Sequence, residues 1–181
     1  VALKNILSVI SCLLAVSCSF APGEKSKIAF ASRGEDGKSD IYTIGNDGSG
    51  EKRITHNGRD NDLPSWTPDG KRIAFRSCTD SVCLILVMNA DGSDIRETGA
   101  KGKWACNPKW SPDGKWIAYE NYAGDNMQLC LLHPDGSGFR QLTRTGRNIN
   151  PCWSPDSRRI AFVSDRANVN DIREGHPYEI Y

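Results

Sequence analysis

Neither basic nor acidic residues predominate in this 181-residue sequence: 23 Lys and Arg stand against 22 Asp and Glu, for a formal net charge of +1. That balance excludes a nucleic-acid binder working through a strong basic field. No stretch approaches the ~20 apolar residues that a membrane-spanning helix needs. Histidine is scarce. His56, His133 and His176 fall at three unrelated positions, which suits solvated loops better than a metal cluster. There is no Gly-x-Ser-x-Gly nucleophile elbow and no His-Glu-x-x-His pair. Gly (17) and Pro (9) are too few for a low-complexity chain. The residues therefore imply no catalytic group, no metal and no cofactor. They leave one globular domain with a real core.

Residues 1–21 differ from the rest. Lys4 is the only charge before Glu24, and Ile6 to Val16 is an apolar stretch of secretory-signal length. Ala15-Val16-Ser17-Cys18 resembles a bacterial lipobox, in which small residues precede a Cys that becomes lipidated. Lipidation of Cys18 is the expectation, and it would hold the protein at a membrane surface through a lipid anchor alone.

The remainder is built on a beat of about 44 residues. LPSWTPDGKRIAF (63–75), NPKWSPDGKWIAY (107–119) and NPCWSPDSRRIAF (150–162) place Trp66, Trp110 and Trp153 at intervals of 44 and 43. Asp47-Gly48-Ser49, Asp91-Gly92-Ser93 and Asp135-Gly136-Ser137 repeat in phase. RIT (53–55), RET (96–98) and QLT (141–143) are read as a third landmark.

Each unit reads as four short strands, a to d. Strand a ends at the Trp. Ser/Thr-Pro-Asp-Gly then makes a tight turn, with Pro presetting φ and Gly supplying positive φ. Strand b follows (27–31, 72–76, 116–120, 159–163), with Ile and an aromatic on one face and Ala on the other. A strand apolar on both faces is covered on both sides. Strand c (40–44, 84–88, 128–132) turns through Asp-Gly into strand d. The Asp-Gly-Ser runs lack the carboxylate set of a calcium loop. A four-stranded unit of this period is a β-propeller blade, so the fold class is all-β, with antiparallel blades.

The pattern PxWSPDGKxIAF, then xIYxMNxDGS and LT, resembles the blade repeat of the TolB-like propellers over about residues 28–181. Gly45 and His133 depart from the family's Met-Asn, and Ser157 replaces a turn Gly. The blades are placed at 27–55 (strands b–d), 62–99, 106–143 and 149–181 (strands a–c), about 3.5 blades of an incomplete ring. A bare blade face with about four large apolar side chains forfeits roughly 6–12 kcal/mol. The expectation is a truncated copy of a longer propeller, or self-association of two chains to complete one ring.

Of the remaining cysteines, Cys78 and Cys83 flank the b–c turn of one blade, where a disulfide clasp suits an oxidising compartment. Cys106 and Cys152 have different offsets from their Trp, which argues against pairing, and Cys130 reads as buried filler. Trp66, Trp110 and Trp153 read as blade-packing residues. Trp104, in a Gly-rich connection, reads either as an exposed anchor or as packing. Arg59, Asp60, Asn61, Asp62, Asn107, Arg147, Asn148 and Asn150, on strand a and the d–a connections, are candidates for a polar binding rim. The resemblance implies a non-enzymatic scaffold of the bacterial cell envelope, periplasmic or lipid-anchored, binding an envelope protein or a small ligand. The alternative is the propeller portion of an envelope peptidase or lyase.

Overall fold

A computed structural model describes residues 27–102, 104–123, 125–166 and 179–180. The leader at 1–21, Cys18 and His176 lie outside these residues. The described chain is all-β, with fourteen strands in four sheets and no helix. The first sheet holds β1 (Lys27–Arg33), β2 (Ser39–Gly45) and β3 (Lys52–Arg53). The second holds β4 (Asp60–Trp66), β5 (Arg72–Cys78), β6 (Cys83–Asn89) and β7 (Arg96–Glu97). The third holds β8 (Ala105–Trp110), β9 (Ile117–Ala123), β10 (Asn126–Leu132) and β11 (Arg140–Gln141). The fourth holds β12 (Asn148–Trp153), β13 (Ile160–Ser164) and β14 (Glu179–Ile180). Every pairing within a sheet is antiparallel between chain neighbours, a simple meander.

Among the described residues, sheets touch only their neighbours in sequence, and strands a (β4, β8, β12) follow one another along one line. They form the inner edge of the array. Each carries a bulge that skips a residue pair ending in Pro: Leu63-Pro64, Asn107-Pro108 and Asn150-Pro151. Proline cannot donate to a ladder, so it is tolerated at an edge or a bulge. The residue before it takes positive φ: 52° at Leu63, 50° at Asn107 and 55° at Asn150. Asn adopts that conformation readily, whereas Leu is strained there.

The a–b turns repeat one hydrogen-bond set. In the first, Thr67 Oγ1 donates to Asp69 Oδ1 (2.6 Å), Lys71 N–H donates to the same oxygen (3.0 Å), and Gly70 N–H donates to Thr67 O (2.9 Å). Ser111/Asp113 and Ser154/Asp156 repeat it. Gly70 and Gly114 hold the positive φ. Ser157 holds it in the last copy, at 59°, and its hydroxyl accepts the Asp113 N–H of the neighbouring turn (2.9 Å), a partial offset for the strain.

The core lies between sheets. The bulky face of the second sheet (Trp66, Ile73, Phe75, Leu86, Met88) packs on Ala29 and Ile41 of the first. Trp110, Ile117, Tyr119, Cys130 and Leu132 of the third pack on Ala74, Ile85 and Val87 of the second. Each large side chain so buried contributes ~1.5–3 kcal/mol. Ala29, Ala74 and Ala118 are 0–1% exposed, because the small face admits a close neighbour. Among the described residues the array is open at both ends: Ala161 is exposed, and Ile28 and Phe30 are only half-buried.

The third sequence landmark is corrected by the ladders. Arg53, Glu97 and Gln141 pair with Tyr42, Leu86 and Cys130, which occupy equivalent positions. Thr98 therefore sits one residue earlier in its blade than Thr55 and Thr143, and Gly99 stands where they do. The two-residue edge strands are too short for a tripeptide to reveal their register.

Two predictions follow from these geometries. Leu63→Asn relieves strain and stabilises by about 1 kcal/mol, raising the thermal midpoint ~2–4 °C in calorimetry; an unchanged or lower midpoint would refute it. The carboxyls of Asp69, Asp91, Asp113, Asp135 and Asp156 are held below the ordinary value, first by a Ser or Thr hydroxyl and then by a backbone N–H. Their stabilisation is complete above the unfolded value, about pH 4, and is lost as pH falls through the lower folded values. Urea midpoints are expected to hold flat from pH 7 to 5 and drop below 4. Ser111→Ala with Ser154→Ala should shrink that drop.

Candidate binding site on the inner strands

The meander places the d–a and b–c connections at one end of the array and the a–b and c–d turns at the other. The candidate rim residues lie at or near the first end, but they divide into three groups.

Asn61 and Asn148 are fully buried. Asn61 Nδ2 donates to Asp40 Oδ1 of the preceding sheet (3.2 Å), which also accepts from Thr55 Oγ1 (2.6 Å). Thr55 Oγ1 in turn accepts Ile41 N–H (2.9 Å). Asn148 repeats this at the third seam, between the third and fourth sheets: its Nδ2 donates to Gln128 Oε1 (3.0 Å), Thr143 Oγ1 donates to the same oxygen (2.7 Å), and Leu129 N–H donates to Thr143 (2.9 Å). These asparagines tie sheets together, and they are not available at a rim.

Asn107 and Asn150 meet across the third seam. Asn107 Nδ2 donates to Glu120 Oε1 (2.6 Å) and to Asn150 Oδ1 (3.3 Å), and Asn150 N–H donates to Glu120 Oε1 (2.7 Å). Glu120, from β9, is 6% exposed. The Cys106 thiol lies 3.8 Å from Glu120 Oε2 and is pushed up to about 12, by burial first and then by that carboxylate. Both influences favour the protonated thiol over the thiolate. Burial lowers the Lys109 ammonium, which Glu120 partly counters. Asp62 forms a part-buried ion pair with Arg76, whose guanidinium that partner holds charged.

Arg59 and Asp60 line a cleft of about 320 Å³ between the first two sheets, with Gly37, Lys38, Gly58, Cys78, Thr79 and Asp80. Lys38 Nζ donates to Gly58 O (2.6 Å), and Asp60 Oδ1 accepts Ser39 N–H (2.8 Å). Arg147 is exposed on the equivalent connection of the third seam, its N–H donating to Asp165 Oδ1 (2.6 Å). A second groove, about 650 Å³, opens at the opposite end between Arg72, Arg96, Lys115, His133 and Asp135. It holds none of the candidate rim residues.

Cys78 and Cys83 are disulfide-bonded. Cys106, Cys130 and Cys152 are free, with Cys130 buried. Trp66 and Trp110 are buried between sheets, and Trp153 Nε1 donates to Lys109 O of the sheet before it (3.0 Å). Trp104 is 43% exposed. Among the described residues no three metal-ligating side chains converge. Sequence reading missed Glu120, Lys109 and Lys38. Glu120 sits where Arg76 and Val163 sit in other copies, and that break in an otherwise uniform strand was the available signal.

Four antiparallel blades stacked face to face along a common inner edge define part of a β-propeller. The TolB beta propeller domain family model matches residues 9–174, and the chain belongs to that family. A TolB-type protein of Agrobacterium tumefaciens is 29% identical at a TM-score of 0.70, covering 80% of this chain and 52% of its own. TolB from Acinetobacter baumannii is 23% identical at 0.67, covering 85% and 37%. This chain thus spans about half, or less, of those relatives. A prolyl endopeptidase structure shares the fold at 19% identity and a TM-score of 0.54, covering 81% and 26%. No curated protein matches.

Asn148→Ala should cost about 1–3 kcal/mol in urea melts, because Gln128 and Ser164 lose a buried partner, while Arg59→Ala should stay within about 0.5. Equal costs would put Asn148 outside the seam.

Proposed function

We propose that the chain is the blade array of a non-enzymatic scaffold in the bacterial cell envelope, binding a protein or small ligand at the end that carries the d–a and b–c connections. The observation that carries this reading is the likeness to TolB proteins, 29% and 23% identical over at least 80% of the chain. The chemistry of that end supports it. The cleft beside Arg59 offers cations (Lys38, Arg59), carboxylates (Asp60, Asp80) and a hydroxyl (Thr79) at one opening. The Cys106 thiol beside Glu120 is pushed toward its protonated form. The open faces of the first and fourth sheets fit further blades of the same repeat.

Envelope extract passed over the immobilised chain, with Arg59→Glu and Thr79→Arg as the altered cleft, provides the test. A bound protein lost at least tenfold with the altered cleft supports the reading. Retention unaffected by both changes would move binding elsewhere. Cys18 is proposed as the lipid anchor: labelling with a fatty-acid analogue should mark the parent and spare Cys18→Ser.

A further inference from the structure

The three seams are closed in two different ways at the end carrying the b–c and d–a connections. At the first, Ser39 N–H donates to Asp60 Oδ1 (2.8 Å), beside the tie of Thr55, Asp40 and Asn61. At the third, Gln128 Nε2 donates to Gly146 O (2.8 Å), beside the tie of Thr143, Gln128 and Asn148. Both closures use polar side chains that reach across the seam. At the middle seam the equivalent positions are Gly99, Leu84 and Ala105, and none carries a polar side chain. There Cys83 and Trp104 meet instead in a parallel backbone bridge.

A reaching side chain can follow a neighbour that shifts by a few tenths of an ångström. A backbone bridge cannot, because its geometry is set by where both segments lie. One segment is the connection running into Trp104. The other is the b–c hairpin, whose loop 79–82 is closed by Thr79 N–H to Val82 O (2.9 Å) and by the Cys78–Cys83 disulfide. Such a cross-link removes conformational freedom from the segment it closes. The middle seam has its side-chain hydrogen bond further along the inner strands, from Trp110 N–H to Ser65 Oγ (3.3 Å); at the end carrying the b–c and d–a connections it lacks the polar tie, and there its bridging residue is covalently fixed. Cys83 is 3% exposed, whereas Cys78 is half-buried and lines the cleft with Thr79 and Asp80. A reductant reaches the bond from the Cys78 side.

We propose that the Cys78–Cys83 disulfide is the clamp of the middle seam, and that its reduction by a dithiol loosens that seam and leaves the other two closed. A thiolate of the dithiol attacks Cys78 Sγ, the S–S bond breaks, and the Cys83 sulfur leaves with the electron pair and takes up a proton. The second thiol then displaces Cys78, which is protonated in turn. The two electrons come from the dithiol, which ends as its own disulfide. Once Cys83 is free to shift, the bridge to Trp104 is lost and the buried edge at Ala105 and Asn121 opens to water. This coupling needs no ligand.

Hydrogen exchange followed by mass spectrometry on the full chain, oxidised and in excess dithiol, reads the result. Amides in 83–86 and 104–107 are expected to exchange at least tenfold faster after reduction, while those of Ile41 and Leu129, held by Thr55 and Thr143, keep their rates. No acceleration at the middle seam, or equal acceleration at all three, would overturn the proposal. Cys78→Ala with Cys83→Ala should show the reduced pattern with or without dithiol; protection like that of the oxidised chain in this variant would also overturn it. If the double variant does not fold, the reversible reduction of the parent chain carries the decision alone.

Discussion

Everything in this structure depends on the fit of a bulky sheet face into a small one. Trp66, Ile73 and Phe75 press on Ala29, and Trp110, Ile117 and Tyr119 press on Ala74. No sheet has a core of its own, since four strands of a few residues leave both faces apolar. A sheet is therefore stable only as a member of a stack. The stacking brings the inner strands into one line, and the polar connections gather at one end of it.

The seams show how a repeat can drift without losing its fold. Large apolar clusters fill the first and middle seams, and the polar tie beside them varies from seam to seam. Asp40 and Gln128 differ in charge and length, yet both accept from a Thr and an Asn. Leu84 and Ala105 abandon the tie altogether. Replacing both sides of a buried polar pair at once leaves no orphaned group, whereas replacing one would. The inner strands follow the same logic. Asp62 with Arg76 and Cys106 with Glu120 are cross-strand pairs at equivalent positions, one ionic and one a thiol beside a carboxylate.

The sequence alone determined the sheet class, the strand order and the turns, because these depend on neighbours in the chain: Ser/Thr-Pro-Asp-Gly closes on itself through its own hydroxyl and carboxylate, and the Ile/Ala alternation states that both faces are covered. Burial of polar residues was decided by the tertiary structure. Asn61 and Asn148 read as loop-edge residues like Arg59 and Arg147, yet their partners come from a sheet some twenty residues earlier. The one-residue offset of Thr98, the convergence of Asn107 and Asn150 on Glu120, and the bridge from Cys83 to Trp104 belong to the same class. Each depends on how one sheet lies on the next, and a pattern read along a single strand carries no information about that distance.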